Sequence, residues 1–376
     1  MAFTSDLRQP VLKKLQGFSG SVPSALIGFD GFIDEICELV DQRISPTEYR
    51  QLETIPQYAE RILRAAGKST NFEVILKHRK LGGNCPLMAD ALGRLGTPLV
   101  TCGAFGYPEV DPLFAGLAKY GPSTTITNPG ITVAYEFADG KIMNGRLESL
   151  AVITPERILE QFGGREGLIA ELRKHALIGA VNWTMIPHLT TVFALLADVM
   201  RSIPEKRMIF VDLCDPVKRP LPELRHAMEI LATLEAAGHH FILGLNEQES
   251  EEICRALGIE TGGASEEEIM ERAERIRQTL GNSEVVIHPV KFAATASKEH
   301  GMACTPGPVC PKPLITTGAG DHFNGGYCFG RLMGLTPSEA LITGVCTSGY
   351  YVRNAHGPTP KTMATFVENW LAGKLD

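Results

Sequence analysis

Leu177-Ile178-Gly179-Ala180-Val181-Asn182, Met208-Ile209-Phe210-Val211 and Phe241-Ile242-Leu243-Gly244-Leu245 are three short, nearly unbroken apolar runs. Runs of four to six residues without polar alternation suit strands buried on both faces. Residues 188–202 and 222–237, which separate them, have the length and composition of helices. Strand and helix in alternation predict a mostly parallel sheet with helices on both faces, an α/β fold.

The same rhythm extends outward. Upstream, residues 1–22 read as a helix ended by Pro23, and Ala25–Phe29 and Leu99–Cys102 read as buried strands. A helix opens at Pro46 and runs to Ala66, Phe72–Leu76 fits a strand, and residues 112–120 and 155–175 read as helical. Downstream, Glu284–His288 is a strand ending at Pro289, and Ala293–Ala296 fits the next. One segment breaks the rhythm. Thr132–Ala138 alternates and meets Asp139-Gly140, a hairpin signal, so residues 131–150 are a candidate β lid, with about 34–50 as a second lid segment. No repeat or low-complexity linker divides the chain, so 1–376 reads as a single domain.

Composition narrows the function. Apolar residues make up 44% and charged residues 21% of 376, as in an ordinary globular protein. A net charge of −7 and a pI near 5.9 argue against nucleic-acid or anionic-membrane partners. No apolar run reaches the ~20 residues that span a bilayer, and charged residues interrupt the N-terminus where a signal peptide would need its apolar core. Nine irregularly spaced cysteines without a C-x-x-C pair predict reduced thiols and a cytoplasmic location.

The chemistry concentrates in Thr316-Thr317-Gly318-Ala319-Gly320-Asp321-His322-Phe323-Asn324-Gly325-Gly326. Phe323, Gly326, Gly330 and Met333 recur at helical steps, and Gly334 is a stop. Free N–H groups at a helix start attract anions, and glycines admit a phosphate to the backbone. A carboxylate there repels phosphate, yet it serves if Asp321 takes the proton from an attacking hydroxyl. The plainer reading is a helix start with Thr317 as N-cap and Asp321 complementing the dipole. Poor helix formers at 325, 326 and 330 predict that something packs very close to this helix.

Three other places carry candidate ligands. Asp30 and Asp34 follow the first strand, where an open α/β sheet binds ligands; they suit polyol hydroxyls or a metal, or else a turn and a solvated acid. Gly82-Gly83-Asn84 opens a second helix, with Asn84 able to donate to and accept from hydroxyls or simply to act as N-cap. Asn246 and Glu249 make a capping box that would also place Glu249 near a magnesium ion, through water. Met208–Val211 runs into Asp212 and Asp215. His288, His322 and His356 are each as readily structural as ligand-facing.

Together these pieces resemble the ribokinase/PfkB family of carbohydrate and nucleoside kinases. The resemblance rests on Gly318-Ala319-Gly320-Asp321 in its long form, on Gly82-Gly83-Asn84 with Ala91–Gly96, on Asn246-x-x-Glu249 and on Asp34, in the family's order along nearly the whole chain. It implies a three-layer α/β/α fold with a small β lid. It implies ATP with Mg2+ as donor and a sugar or sugar-like hydroxyl as acceptor. Asp321 would be the base, with the backbone of Gly318, Ala319 and Gly320 as anion hole. Asp30, Asp34, Gly82, Gly83 and Asn84 would bind the acceptor, and Asn246, Glu249, Thr317, His288 and Asn324 the nucleotide and phosphates. It allows a monovalent cation such as K+ near 315–317 and 352–357, and an exposed edge of the lid sheet would suit a homodimer.

Three positions depart from the family pattern: Ile315 before the motif, Leu87 in the second helix, and His288-Pro289-Val290-Lys291-Phe292 at the nucleotide-side turn. They leave open a nucleoside kinase, or a kinase-fold protein that binds sugar or nucleotide without turnover.

Overall fold

The computed structural model describes residues 6–375. Fourteen strands lie among them: β1 (Ala25–Phe29), β2 (Phe32–Arg43), β3 (Tyr49–Gln51), β4 (Val74–Gly82), β5 (Leu99–Gly103), β6 (Ser123–Thr125), β7 (Gly130–Phe137), β8 (Gly140–Arg146), β9 (Leu177–Val181), β10 (Met208–Asp212), β11 (His240–Leu245), β12 (Glu284–Ile287), β13 (Phe292–Ser297) and β14 (Gly301–Pro306). The helices are α1 (Arg8–Gln16), α2 (Ile55–Arg64), α3 (Asn84–Arg94), α4 (Pro155–Gln161), α5 (Gly164–Leu172), α6 (Leu189–Met200), α7 (Leu221–Ala236), α8 (Glu247–Leu257), α9 (Glu266–Leu280), α10 (Ala319–Leu332), α11 (Pro337–Asn354) and α12 (Pro360–Leu371).

The main sheet has the order β14-β13-β12-β11-β10-β9-β1-β5-β6. From β12 to β6 every pairing is parallel, while β13 and β14 add an antiparallel edge. Apolar residues of α4–α9 pack on one face, and those of α1, α3, α10, α11 and α12 on the other. This is the predicted three-layer α/β/α arrangement. Strand order reverses between β1 and β9, so a crevice opens at the carboxyl ends of these strands.

A second sheet forms the lid. Its strands run β3-β2-β7-β8, and β4 pairs with β2 along Phe32–Leu39. The lid is therefore larger than segments 34–50 and 131–150, because residues 74–82 belong to it. Helix α2 covers one lid face: Tyr58 packs edge-on to Phe72 at 5.0 Å and against Tyr135 and Phe137, above Leu39 and Leu52.

Several local expectations change. The N-terminal helix is only Arg8–Gln16, and residues 1–5 of the stretch expected to be helical lie outside the described residues. Residues 155–175 form two helices, broken at Gly163 and Gly164, both with positive φ. Residues 115–120 form a 3-10 turn. The tight neighbours predicted for the glycine-rich helix are α11 and α3. A Cβ at Gly326 would collide with Thr347 and the Thr343 carbonyl, and one at Gly325 would sit 2.7 Å from Ala91 Cβ. Among the described residues, no helix is long and apolar enough to cross a membrane.

Candidate active site

The carboxyl ends of five parallel strands deliver Asp30, Asn182, Asp212, Asn246 and His288 to one edge of the sheet. The N-termini of α3 and α10 meet them there. Gly318, at φ 90°, is the N-cap of α10. An L side chain would be strained at that φ, and its Cβ would lie 3.0 Å from Leu87 and from the Tyr351 hydroxyl. Thr317 is not the cap: its carbonyl accepts a hydrogen bond from Tyr351 at 2.8 Å.

Asp321 stands in the first turn of α10, half-buried. Burial pushes its carboxyl well above the usual carboxylate range, and the Asp212, Asp30 and Glu249 charges add to the shift. A hydrogen bond from the Asn84 side chain opposes it.

Asp30 is fully buried and its oxygens are engaged. It accepts from Asn84 N–H at 2.9 Å, Cys85 N–H at 2.7 Å and Asn182 Nδ2 at 2.6 Å. Burial raises its pKa to about 6, against the pull of those donors. Asp30 therefore fixes the start of α3. The α3 N-cap is Gly83, at φ 96°, rather than Asn84, which leaves the Asn84 amide free to reach Asp321. Gly82 makes room for Asp34, since a Cβ there would sit 2.7 Å from Asp34 Oδ1. Asp34 lies on lid strand β2, buried beside Thr132, with Lys80 Nζ at 3.9 Å. Burial raises its pKa, against Lys80 and Thr132.

On the other side of α10, Glu249 closes its capping box with Asn246. Its Oε2 accepts from Asn246 N–H and its Oε1 from Asp215 N–H, each at 2.8 Å. Asp212 accepts from Asn324 Nδ2 at 2.7 Å and from Cys214 N–H at 3.0 Å. Asn324 thus orders Asp212, a residue given no role by the sequence reading. Burial and the Glu249 charge raise the Asp212 pKa; burial raises that of Glu249. His288 is half-buried, packs on Phe323 with ring centroids 4.7 Å apart, and is held neutral by desolvation with a pKa near 4. Among the described residues, no three His, Cys, Asp or Glu side chains form a group that could hold a metal ion.

Two cavities flank the first turn of α10. One, about 390 Å³, is lined by Ala319, Gly320, Asn246 and His288 and by apolar residues such as Val290, Phe292, Val345 and Val352. The other, about 320 Å³, is lined by Thr317, His322 and Tyr351 and by the charged Asp34, Lys80, Asp90 and Arg94. Asp321 lines neither, but its sequence neighbours Gly320 and His322 line the first and the second respectively.

The fold and the family match together define a carbohydrate kinase of the ribokinase/PfkB class. Ribokinase from Arabidopsis thaliana, solved with ribose and ATP, has a TM-score of 0.64 at 16% identity, covering 93% of this chain and 99% of that one. Ribokinase from Thermotoga maritima has a TM-score of 0.60 at 17% identity, covering 93% and 100%. The sequence profile of prokaryotic ketohexokinase matches residues 16–370, and the chain belongs to that family. A ketohexokinase of Haloferax volcanii is 29% identical over 358 residues, 92% of this chain and 91% of its relative.

Proposed function

We propose that the protein transfers the γ-phosphoryl group of ATP to a primary hydroxyl of a ketohexose. The observation that supports this reading is the place of Asp321 in the first turn of α10, where its neighbours Gly320 and His322 line one cavity each. The apolar-lined cavity suits a nucleotide, and the charged, polar one suits a polyhydroxy acceptor better than a nucleobase. The ketohexose follows from family membership and from the name of the Haloferax relative.

In this mechanism the acceptor hydroxyl gives its proton to Asp321 as its oxygen attacks the γ-phosphorus. The bond from that phosphorus to the bridging oxygen breaks, and ADP leaves. Backbone N–H groups at Gly318 and Gly320, with the α10 dipole behind them, stabilise the charge on the transferring group, whereas the Ala319 N–H expected to join them already donates to the Thr316 carbonyl at 3.1 Å. The Asn84 side chain favours the ionised form of Asp321, against burial and the neighbouring acids. Asp34 binds acceptor hydroxyls from the lid, and Asp30 acts through the start of α3.

The acidic residues fit a magnesium ion. Asp212 and Glu249 are buried carboxylates whose charges oppose each other, a burden a nearby cation relieves. Both oxygens of Glu249 already hold backbone N–H groups, so an ion held through its water shell fits better than a protein-lined cage. When bound, magnesium supplies charge neutralisation at the donor's phosphates. A monovalent cation beside 315–317 has less support, because Tyr351 already engages the Thr317 carbonyl.

The test is a coupled assay of ADP release with ketohexoses, aldohexoses, polyols, sugar acids and nucleosides as acceptors. The proposal expects kcat/KM to be highest for a ketohexose such as D-fructose. Preference for a nucleoside or an aldose contradicts it.

A further inference from the structure

His322 follows Asp321 directly, and the mechanism gives it no task. Its ring is 1% exposed and stacks on Tyr351, with centroids 3.6 Å apart and planes 18° apart. Nδ1 lies 2.8 Å from the Gly318 carbonyl oxygen. A carbonyl can only accept, so Nδ1 carries the ring's hydrogen and Nε2 of the neutral imidazole is a bare lone pair. That atom is buried and has no hydrogen-bond partner. A buried acceptor left in this state is uncommon and points to a missing donor.

The surroundings indicate where the donor comes from. His322 lines the 320 Å³ cavity that also contains Asp34, the residue proposed to bind the acceptor. Gly357 lies at the edge of the ring: a Cβ there would be 3.3 Å from His322 Cδ2 and 3.5 Å from Nε2. At that edge the ring meets glycine backbone and no side chain. Burial holds the imidazole neutral, with a pKa near 4, so around neutral pH Nε2 accepts and does not donate.

We infer that His322 is a specificity-determining residue whose Nε2 accepts a hydrogen bond from an acceptor-sugar hydroxyl other than the one phosphorylated. The inference rests on the carbohydrate-kinase reading of this site, and names the chemistry that it selects. A hydroxyl satisfies Nε2. A deoxy carbon offers it nothing, and a carboxylate brings a second lone pair. Sugars and polyols therefore enter this chamber, while sugar acids with the carboxylate at that position are rejected.

The test compares wild type, His322→Phe and Gly357→Ala on the best acceptor of the panel above and on its monodeoxy analogues. Phenylalanine keeps a flat ring against Tyr351 and removes the lone pair; Gly357→Ala covers Nε2 and leaves His322 in place. In wild type, one deoxy analogue should lose about tenfold or more in kcat/KM, chiefly through KM. In His322→Phe the parent sugar should lose a similar factor and then match that analogue within about twofold, with KM for ATP unchanged. Gly357→Ala should show the same pattern more weakly. Calorimetric binding of the same sugars gives the comparison independently of turnover. The inference is overturned if His322→Phe keeps the wild-type ranking of the analogues, or lowers kcat equally for all of them. A best acceptor that is a sugar but not a ketohexose contradicts the proposed substrate, while the His322 comparison runs unchanged on that sugar.

Discussion

The Asn84 side chain, on the first residue of α3, pulls down the pKa of Asp321 in the first turn of α10. This pull favours the ionised acid, against burial and the charges of Asp212, Asp30 and Glu249. Asn84→Ala should therefore raise the Asp321 pKa. The acid limb of the pH–kcat profile should move to higher pH, and kcat near neutrality should fall. A limb that stays in place would separate Asn84 from the base.

Stability should carry the mark of the same acids. Burial raises the pKa of Asp30, Asp34, Asp212, Glu249 and Asp321 in the ligand-free protein. An acid whose folded pKa exceeds its unfolded one stabilises the fold below the unfolded pKa, and that contribution is lost as pH rises through the folded pKa. Asp30 alone, moving from 3.8 to about 6, corresponds to roughly 3 kcal/mol. Without divalent cations, Tm should rise as pH is lowered from about 8 towards 5, and magnesium with ATP should flatten that slope. A Tm that falls over this window would contradict the buried-acid picture.

The glycine face of α10 makes a packing prediction. Gly326 abuts Thr343 and Thr347 of α11, and Gly330 abuts Thr343 and Ala340. Gly326→Ala gains helix propensity of up to about 1 kcal/mol. It also forces a methyl into a filled contact, at about 1–3 kcal/mol. The net change in chemical denaturation should be destabilising, with kcat lowered because α10 carries Asp321. A stabilised, fully active variant would show that the helices tolerate a wider separation.

Gly82 offers a cleaner probe of the acceptor side. An alanine Cβ there would press on the Asp34 carboxylate. Gly82→Ala should raise KM for the sugar several-fold and leave KM for ATP unchanged. Equal effects on both substrates would mean that Asp34 does not read the acceptor.

Both helix starts were legible because their glycines sit beside polar residues at positions where only a positive φ or a bare backbone fits, as at Gly83 and Gly318. The alternation of buried strands and helices likewise predicted the three layers. What escaped notice is made by tertiary contact. Asn182 reaches Asp30 across 152 residues, and Asn324 reaches Asp212 across 112. No local pattern encodes those pairs, although Asp212 stands at the carboxyl end of a parallel strand, the edge where such sheets bind ligands. β4 was missed as a lid strand because its Lys77-His78-Arg79-Lys80 run lacks an apolar alternation. β14 was missed because Gly301-Met302-Ala303-Cys304 has no β-branched residue.

The central claim is that Asp321 takes the proton from the acceptor hydroxyl. Asp321→Asn keeps the shape of the side chain and removes its basicity. The account predicts a kcat on D-fructose lower by about 10²–10⁴-fold, with ATP and sugar still bound at near wild-type affinity by calorimetry. Turnover within a few-fold of wild type would contradict it.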